Sequence, residues 1–476
     1  MDNNIYTNPL ITRYASKEMA SIFSQQNRIK HFRKLWAALA ESQYETGLNI
    51  TKEQVEELKN NILPINFDKA AEKEKEVRHD VMAHVYAYGL QCPMAAPIIH
   101  LGATSCFVTD NADIIVYKQA LELVRAKLAG VMNKLADFAY KYRNLPTLGY
   151  THLQPAQLVT VGKRAALWLQ DFLMDFYSID NLIKNLKLRG LKGATGTQAS
   201  FMELYDNDEK KVKELEKRVI AKMGFDCAFT VTGQTYTRKL DYNITSTLSM
   251  IAQSAYKFSN DIRLLQSMKE MEEPFETSQI GSSAMAYKRN PMRCERISSL
   301  SRFLITLPMN TSITASTQWL ERTLDDSANR RIVMGQAFLA ADAILELMLN
   351  VTDGLVVYEN TIKKRIMNEL PFMATETILM LCVKAGGNRQ ELHEAIRIHS
   401  MEAAKNVKLK GKRNDLIDRI KKDPLFAAVH DKLDKILSPK RYIGRAPQQV
   451  LELLKEVKPI LKRFANAVDL KGSVNV

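Results

Sequence analysis

The stretch that decides the fold is residues 113–144, DIIVYKQALELVRAKLAGVMNKLADFAYKYRN, which contains no proline and a single glycine. At 1.5 Å per residue, a continuous helix over this stretch would be about 50 Å long, well beyond the usual three turns. Its apolar residues recur every three or four positions, the spacing of one helix face. They are Ile114, Leu121, Val124, Leu128, Val131, Leu135 and Phe138.

Three further segments, residues 156–188, 237–271 and 328–352, have the same pattern, and no strand-like alternation competes with it. Long helices must bury a long apolar stripe, which a bundle achieves and several chains packed side by side achieve better. Glycine (19) and proline (14) are sparse, as in helical folds. The sequence therefore predicts an all-α protein built around a bundle of long helices.

Breaks in the helical pattern near Gly102 and Gly354 divide the chain into three helical domains. We predict an N-terminal domain over residues 1–104, a central long-helix domain over residues 105–357, and a basic C-terminal domain over residues 358–476. A length of 476 residues agrees with about three domains.

The composition, with 46% hydrophobic and 25% charged residues, is that of a soluble globular protein. Five cysteines without a Cys-x-x-Cys pair argue against a disulfide framework or a zinc site and favour a reducing compartment. The first residues lack the features of a signal peptide. The uncharged stretch after Phe303 contains Pro308 and is a poor membrane span. We therefore expect a cytoplasmic protein with no metal and no membrane partner.

The net charge is +14, and residues 401–476 supply +9 of it, with 18 Lys+Arg against 9 Asp+Glu. A basic surface could bind nucleic acid, concentrate small anionic substrates, or be a solvated face. Here the basic residues are interleaved with Asp and Leu at helical spacing and not with aromatic residues. We therefore expect no nucleic-acid partner.

Five polar stretches interrupt the helical pattern at points where loops could position reactive groups. They are residues 78–80 (RHD), 100–105 (HLGATS), 151–157 (THLQPAQ), 192–198 (KGATGTQ) and 281–291 (GSSAMAYKRNP). Each histidine also has an ordinary interpretation: His79 as a surface partner of Asp80, His100 as a satisfied core residue, and His152 as part of a helix N-terminal cap.

The stretch 281–291 is the most informative, because two serines are followed closely by Lys288, Arg289 and Arg293. A mobile serine-bearing loop with neighbouring cations suits chemistry in which negative charge develops and must be held. The glycine patterns of phosphate-binding loops and of the hydrolase nucleophile elbow are absent from the sequence. We therefore predict that residues 279–291 form the catalytic loop of an enzyme that acts on an anionic substrate.

The pattern SSxMxxKxNP in residues 282–291 resembles the signature loop of the fumarase/aspartase superfamily, and HLGATS and THLQPAQ match two further superfamily regions in order. Within the superfamily the chain is similar to the adenylosuccinate lyases of animals. That similarity is carried by residues 78–84 (RHDVMAH), 269–275 (KEMEEPF), 321–331 (ERTLDDSANRR) and 369–376 (ELPFMATE). It runs from about residue 13 to residue 449.

The resemblance implies β-elimination of fumarate from adenylosuccinate, giving AMP, and from the succinyl-carboxamide ribonucleotide SAICAR, giving AICAR, in purine nucleotide biosynthesis. It implies a homotetramer whose active sites are each assembled from three chains, and no cofactor. By motif match Ser282 would be the base and His152 the acid. Lys288 and Asn290 would hold the substrate carboxylates, and His79 would sit near the phosphate or orient His152.

The resemblance also implies a substrate-binding set. The residues expected at the phosphate and ribose are Arg13, Tyr14, Arg296, Arg322, Ser327 and Arg331. Those expected at the succinyl end are Thr104, Ser105, Thr151 and Gln234, and Arg78 and Asp80 flank His79. An alternative for Arg330 and Arg331 is a helix-face salt bridge with Asp325 or Asp326.

The chain departs from the family at Ala286, where the family usually has proline. Alanine keeps the reactive residues but restricts the loop backbone less than proline would. The substitution therefore bears on the rate of loop closure and not on the type of reaction. The choice between Ser282 and Ser283 as the base rests on the motif match alone. Argininosuccinate lyase or fumarase is an alternative function, although the arginine set fits a phosphate-bearing substrate better. An inactive helical scaffold or nucleic-acid binder is a second alternative, motivated by the basic tail.

Overall fold

The computed structural model describes residues 4–276, 279–467 and 470–472, so the outermost residues of the predicted terminal domains, including 1–3 and 473–476, lie outside the described residues. The described chain is mainly helical, which confirms the all-α class. Its α-helices are α1 Lys17–Ile22, α2 Gln25–Glu45, α3 Lys52–Asn60, α4 Phe67–Val77, α5 Asp80–Gln91, α6 Ser105–Lys141, α7 Val161–Lys184, α8 Ala199–Leu204, α9 Glu209–Lys222, α10 Lys239–Ser267, α11 Met292–Ser316, α12 Asp325–Asp353, α13 Glu359–Met373, α14 Thr375–Lys384, α15 Arg389–Lys410, α16 Leu416–Lys422, α17 Leu433–Ile436 and α18 Ala446–Arg463.

The predicted long helix is present as α6, which has 37 residues and begins eight residues earlier than the apolar pattern indicated. Its residues Leu121, Val124 and Leu128 are completely buried, as the spacing requires. Helices α7, α10, α11 and α12 pack with α6 into the central bundle. Every residue of α12 from Ala337 to Leu349 is buried, as expected of a helix at the centre of a core.

The prediction that residues 156–188 are helical throughout was wrong at its start, because the described part of the chain contains four short strands. Strands β1 (Pro146–Thr151) and β2 (Gln154–Thr160) form an antiparallel hairpin, and the short strands β3 (Met271–Glu272) and β4 (Val356–Val357) pair elsewhere. Residues 156–160 therefore belong to a strand, and α7 starts only at Val161. The Thr160 side chain accepts a hydrogen bond from the Lys163 N–H and so caps the helix there.

The main hydrophobic core takes in residues from Leu10 to Val457 and includes parts of α13 and α18. A second, smaller cluster is formed by residues of the segment 374–436, on helices α14 to α17. These clusters describe how the side chains pack, and the three-domain division itself stays a prediction.

Among the described helices, α12 is long and apolar enough to cross a membrane, with a hydropathy of 1.7 over an 18-residue window. However, 83% of that window is buried inside the chain, as in the core helix of a bundle. Helices α13 and α14 are long and apolar enough to cross a membrane only if they are counted together as one span, and the pair is bent by 43° at the break between them.

Candidate active site

A cavity of about 880 Å³ opens where the first turns of α5, α6 and α12 meet the segment before α10. Nine of the residues predicted for the site line it, although they come from distant parts of the sequence. They are Arg78, His79, Asp80, Thr104, Ser105, Gln234, Arg322, Ser327 and Arg331. Arg28 and Arg238 also line the cavity and were not predicted.

His79 is held at the start of α5 by hydrogen bonds from both sides of its ring. Its Nδ1 accepts the Met82 N–H at 3.4 Å, so the neutral ring carries its proton on Nε2, which lies 3.3 Å from the Ser105 hydroxyl. The Asp80 carboxylate, the predicted neighbour, lies 3.8 Å from the same Nδ1 atom. His79 thus joins the first turn of α5 to the first turn of α6 at the cavity wall.

Thr104 precedes α6 and carries a buried hydroxyl that has no hydrogen-bond partner in the described structure. A buried hydroxyl without a partner costs free energy, so one at a cavity wall points to a ligand group that completes it. Gln234 is fixed through its backbone, because its N–H donates to the Glu321 carbonyl at 3.0 Å. A Cβ on the preceding Gly233 would approach that carbonyl oxygen to 2.5 Å, so only glycine fits there.

Beneath the cavity, the buried Arg238 links three helices. Its NH1 and NH2 donate to the two carboxylate oxygens of Asp110 on α6, at 3.1 and 3.2 Å, and its Nε donates to Asp326 on α12 at 2.7 Å. Burial alone would lower the pKa of Arg238, but Asp110 and its neighbours outweigh that effect and raise it. Sequence reasoning missed this network. The only signal was a charged residue, Asp110, on the buried face of a long helix.

The alternative partners given for Arg330 and Arg331 were wrong. Arg330 is buried and pairs with Asp241 at 2.6 Å and with Asp113 at 3.2 Å, whereas Arg331 is exposed and lies 3.6 Å from Asp80. In these three ion pairs, neither Asp325 nor Asp326 is the partner of Arg330 or Arg331. Arg330 is therefore part of the internal scaffold, and Arg331 remains available at the cavity rim.

Arg322 lies in the segment between α11 and α12, and its guanidinium has two partners. NH1 donates to the Cys106 sulfur at 3.2 Å, and NH2 lies 3.8 Å from the Asp326 carboxylate. Burial raises the pKa of the Cys106 thiol, so the sulfur is a neutral acceptor. Ser327 follows in the first turn of α12, with its N–H bonded to the Leu324 carbonyl.

Thr151 and His152 lie at the tip of the β1–β2 hairpin, so the interpretation of His152 as a helix cap was wrong. Thr151 pairs with Gln154, which leaves a two-residue turn in which His152 and Leu153 have φ of 53° and 56°. This left-handed backbone is uncommon for residues other than glycine and is unfavourable for Leu153 in particular, and such strain concentrates at functional sites. All three side chains are exposed on this chain.

The hairpin is anchored at its base to the buried Glu270. The Glu270 carboxylate accepts hydrogen bonds from Thr147 and Tyr150 and pairs with Arg365 of α13 at 2.7 Å. These contacts hold strand β1 against the bundle, while the tip residues 151–153 stay exposed.

The serine loop is closed at its base by Asn290, whose side-chain amide donates to the Gly281 carbonyl at 2.8 Å. Within the loop, the Ser282 hydroxyl oxygen accepts the N–H groups of Met285 at 3.2 Å and Ala284 at 3.4 Å. Two donors aimed at one oxygen favour negative charge on it. Ser283 and Lys288 are exposed.

The remaining predicted residues form a separate group near the N-terminus. Arg13 and Tyr14 belong to a short π-helix, Leu10–Tyr14, and the Arg296 guanidinium lies 5.8 Å from the centre of the Tyr14 ring. Just after this turn, the Ser16 N–H donates to the buried Asp342 at 2.6 Å, which fixes the segment to α12.

The structure therefore brings nine of the predicted residues together and leaves the others in three separate groups. The cavity lining contains none of Ser282, His152 or Lys288. His100, in contrast, has its ordinary role: its Nδ1 accepts the Trp36 indole N–H at 2.9 Å, and burial lowers its pKa to about 4. Within the described residues, no group of three or more His, Cys, Asp or Glu side chains is arranged to hold a metal ion.

Comparison with known proteins identifies the class. The family model described as Lyase matches residues 15–304, and a second model, Adenylosuccinate lyase C-terminus, matches residues 371–453.

Among solved structures, the 3-carboxy-cis,cis-muconate lactonizing enzyme from Pseudomonas putida aligns with a TM-score of 0.81 at 21% identity, covering 96% of this chain and 100% of that one. A fumarate lyase from Mesorhizobium sp. aligns with a TM-score of 0.79 at 20% identity, covering 95% of this chain and 99% of that one. The fold is thus that of the lyases related to fumarase.

Full-length relatives narrow the class. The adenylosuccinate lyase of Saccharomyces cerevisiae is 52% identical over 97% of both chains, and that of Schizosaccharomyces pombe is 50% identical over 98% of both. The adenylosuccinate lyase of Schistosoma mansoni is 48% identical over 99% of both. The chain belongs to the adenylosuccinate lyase family. These relatives do not favour the first alternative function, an argininosuccinate lyase or fumarase. They do not favour the second alternative either, an inactive scaffold or nucleic-acid binder.

Proposed function

We propose that this chain catalyses the β-elimination of fumarate from adenylosuccinate, giving AMP, and from SAICAR, giving AICAR. The observation that carries the proposal is the convergence of nine predicted site residues on one cavity in a chain with full-length adenylosuccinate lyase relatives. A cavity of about 880 Å³ is of the size that small-molecule sites usually have.

The nucleotide end of the substrate would bind through the arginines. Arg322 and Arg331 line the cavity beside Ser327, and an arginine fork matches phosphate geometry well. Arg13, Tyr14 and Arg296 would complete the phosphate and ribose contacts. Thr104, with its unpartnered hydroxyl, would hold the succinyl end together with Ser105, Gln234 and Thr151.

The elimination has two proton transfers. A base takes a proton from the substrate carbon that lies beside one carboxylate, and the electron pair moves to form the fumarate double bond as the C–N bond breaks. An acid then gives a proton to the departing nitrogen. We assign the base to Ser282 and the acid to His152, with His79 at the phosphate or orienting His152.

Serine is a weak base unless its alkoxide is stabilised. The N–H groups of Met285 and Ala284, which already point at the Ser282 oxygen, would stabilise that alkoxide, and Lys288 would add a cation once the loop closes over the substrate. Lys288 and Asn290 would also hold the substrate carboxylates, on which negative charge increases after the first proton transfer.

We further propose that the active enzyme is a homotetramer in which each site draws residues from three chains. The central helices leave large apolar residues uncovered on this chain, such as Met309 (73% exposed) and Ile313 (56% exposed) one turn apart on α11. Exposed apolar patches of this kind mark interfaces. The exposed hairpin tip and the exposed serine loop would then reach the cavity of a neighbouring copy.

All five cysteines are free thiols, which supports the proposal of a cytoplasmic location. The proposed partners are the small-molecule nucleotide substrates and other copies of the chain. Nucleic acid and membranes are not among them.

An ultraviolet assay of the purified protein tests the activity. We expect an absorbance change with adenylosuccinate and with SAICAR and none with argininosuccinate. A folded tetramer that leaves adenylosuccinate unchanged would refute the proposal, and turnover of argininosuccinate alone would select the argininosuccinate lyase alternative.

A further inference from the structure

Arg322 belongs to a segment that lacks regular structure, the connection between α11 and α12. The neighbouring Leu320 is 98% exposed and has a φ of 49°, and the backbone beside Arg322 is held by one hydrogen bond, from the Gln234 N–H to the Glu321 carbonyl, and by a turn within the segment. An arginine on such a segment needs side-chain contacts to hold its guanidinium in one place. Two were described above: Cys106 and Asp326.

Asp326 is suited to this task because it is itself immobile. It lies in the first turn of the 29-residue helix α12 and is 1% exposed. One carboxylate oxygen accepts the Arg238 Nε–H at 2.7 Å, and Arg238 is held in turn by both oxygens of Asp110. The carboxylate is thus fixed by Arg238 and, through Arg238, linked to Asp110 on α6.

The other carboxylate oxygen of Asp326, Oδ1, is buried and accepts no hydrogen bond in the described structure. The Arg322 NH2 lies 3.8 Å from it, an ion-pair distance that is too long for a hydrogen bond. A buried carboxylate oxygen without a donor is costly. The geometry therefore leaves one acceptor free beside Arg322.

The surrounding charges leave Arg322 as the cation beside that oxygen. Arg238 is committed to hydrogen bonds with Asp110 and with the other oxygen of Asp326. The neighbouring Arg330 is engaged by two other carboxylates. A buried carboxylate without a nearby cation is strongly unfavourable, and the Arg322 guanidinium lies at ion-pair distance from the free oxygen.

We propose that Asp326 is a positioning residue that orients the Arg322 guanidinium toward the substrate phosphate. The proposal rests on the proposed function, in which Arg322 binds that phosphate. Asp326 would not touch the reacting atoms, so it acts on the binding of the nucleotide end and leaves the chemical step largely unaffected.

The test is a double-mutant cycle with Asp326→Asn and Arg322→Gln, measured as KM and kcat for adenylosuccinate and as the inhibition constant of inorganic phosphate. Asparagine keeps an oxygen for Arg238 and leaves the two hydrogen bonds between Arg238 and Asp110 in place, so the variant should fold. We expect Asp326→Asn to raise KM and the phosphate inhibition constant about tenfold, with kcat changed less than about threefold. In the Arg322→Gln background we expect the same substitution to change KM less than about twofold.

Asp325→Asn is the matched control. Asp325 is the adjacent acidic residue in the same helical turn but is exposed, so its loss reports any effect of helix-end charge alone. We expect its KM and kcat to match the wild type. If Asp326→Asn does not fold, Cys106→Ala removes the other Arg322 contact without a change of charge and should raise KM in the wild-type background only.

The outcomes separate the two proposals. If Asp326→Asn changes KM equally in both backgrounds, or lowers it in both, Asp326 does not act through Arg322 and the positioning proposal is overturned. If Arg322→Gln leaves both KM and phosphate inhibition unchanged, the assignment of Arg322 to the phosphate fails instead. A wild-type protein without turnover refutes the proposed function itself.

Discussion

The Nε2 atom of His79 lies 3.3 Å from the hydroxyl oxygen of Ser105 and so connects the starts of two helices that are separated by 25 residues in sequence. Helices α5 and α6 both begin at residues that line the cavity, so the positive ends of their dipoles lie beside it. Helix N-termini favour anionic ligands. The anionic character expected of the substrate therefore agrees with the backbone of the cavity as well as with its arginines.

Ser282→Ala should lower kcat by at least about 10²-fold, because it removes the proposed base. Ser283→Ala is the matched control, since it deletes the same hydroxyl one residue away on the same exposed loop. We expect Ser283→Ala to keep most of the activity and both variants to keep the wild-type melting temperature. Steady-state kinetics and thermal denaturation check this, and a larger loss in Ser283→Ala would reverse the assignment.

Thr104→Val should lower kcat/KM about tenfold without destabilising the free protein. The buried hydroxyl has no partner in the described structure, so its replacement by a methyl group of similar shape should leave stability unchanged or raise it by up to about 1 kcal/mol. Chemical denaturation and steady-state kinetics measure the two effects. Unchanged kinetics would show that Thr104 does not bind the substrate.

Ala286→Pro should stiffen the serine loop. The Lys288 N–H donates to the Met285 carbonyl at 3.0 Å, so Ala286 is the second residue of a β-turn, a position that favours proline. We expect slower hydrogen exchange in residues 282–288, a gain in stability of up to about 1 kcal/mol, and a rise of up to a few-fold in kcat/KM. Faster exchange in the loop would contradict this account of the turn.

Stability should fall in acid partly because of His100. Its pKa is lowered from 6.5 to about 4, first of all by burial, so between these pH values the unfolded chain binds a proton that the folded chain excludes. Its contribution to stability is complete above pH 6.5 and is lost as the pH falls toward 4, by an amount on the order of 3 kcal/mol.

His100→Asn should therefore reduce the loss of stability between pH 7.5 and about pH 4.5. Asparagine tolerates the φ of 70° at this position and can still accept the Trp36 N–H. Urea denaturation at both pH values measures the difference, with the exposed His393→Asn as the control. Equal acid sensitivity of His100→Asn and the wild type would exclude His100 as a cause.

The long helices could be predicted because their apolar period extends over many turns, as in α6 and α12. The β1–β2 hairpin could not, because its strands are short, are interrupted by a bulge near Gly149, and directly precede the apolar stripe of α7. In the site, motif spacing identified the residues that converge on the cavity. It gave no information on Arg238 and led to the wrong partners for Arg330, because the partners of both arginines are up to 217 residues away and are set by tertiary packing alone.

The central claim is that a lyase site is completed by residues of neighbouring chains. Co-expression of Ser282→Ala and His152→Ala chains tests it most directly, with each inactive homotetramer as its own control. If Ser282 and His152 of one site come from different chains, random assembly should restore about one quarter of the wild-type activity, because half of the sites receive each intact residue. No activity above that of the separate variants, in tetramers verified to contain both chains, would contradict the account.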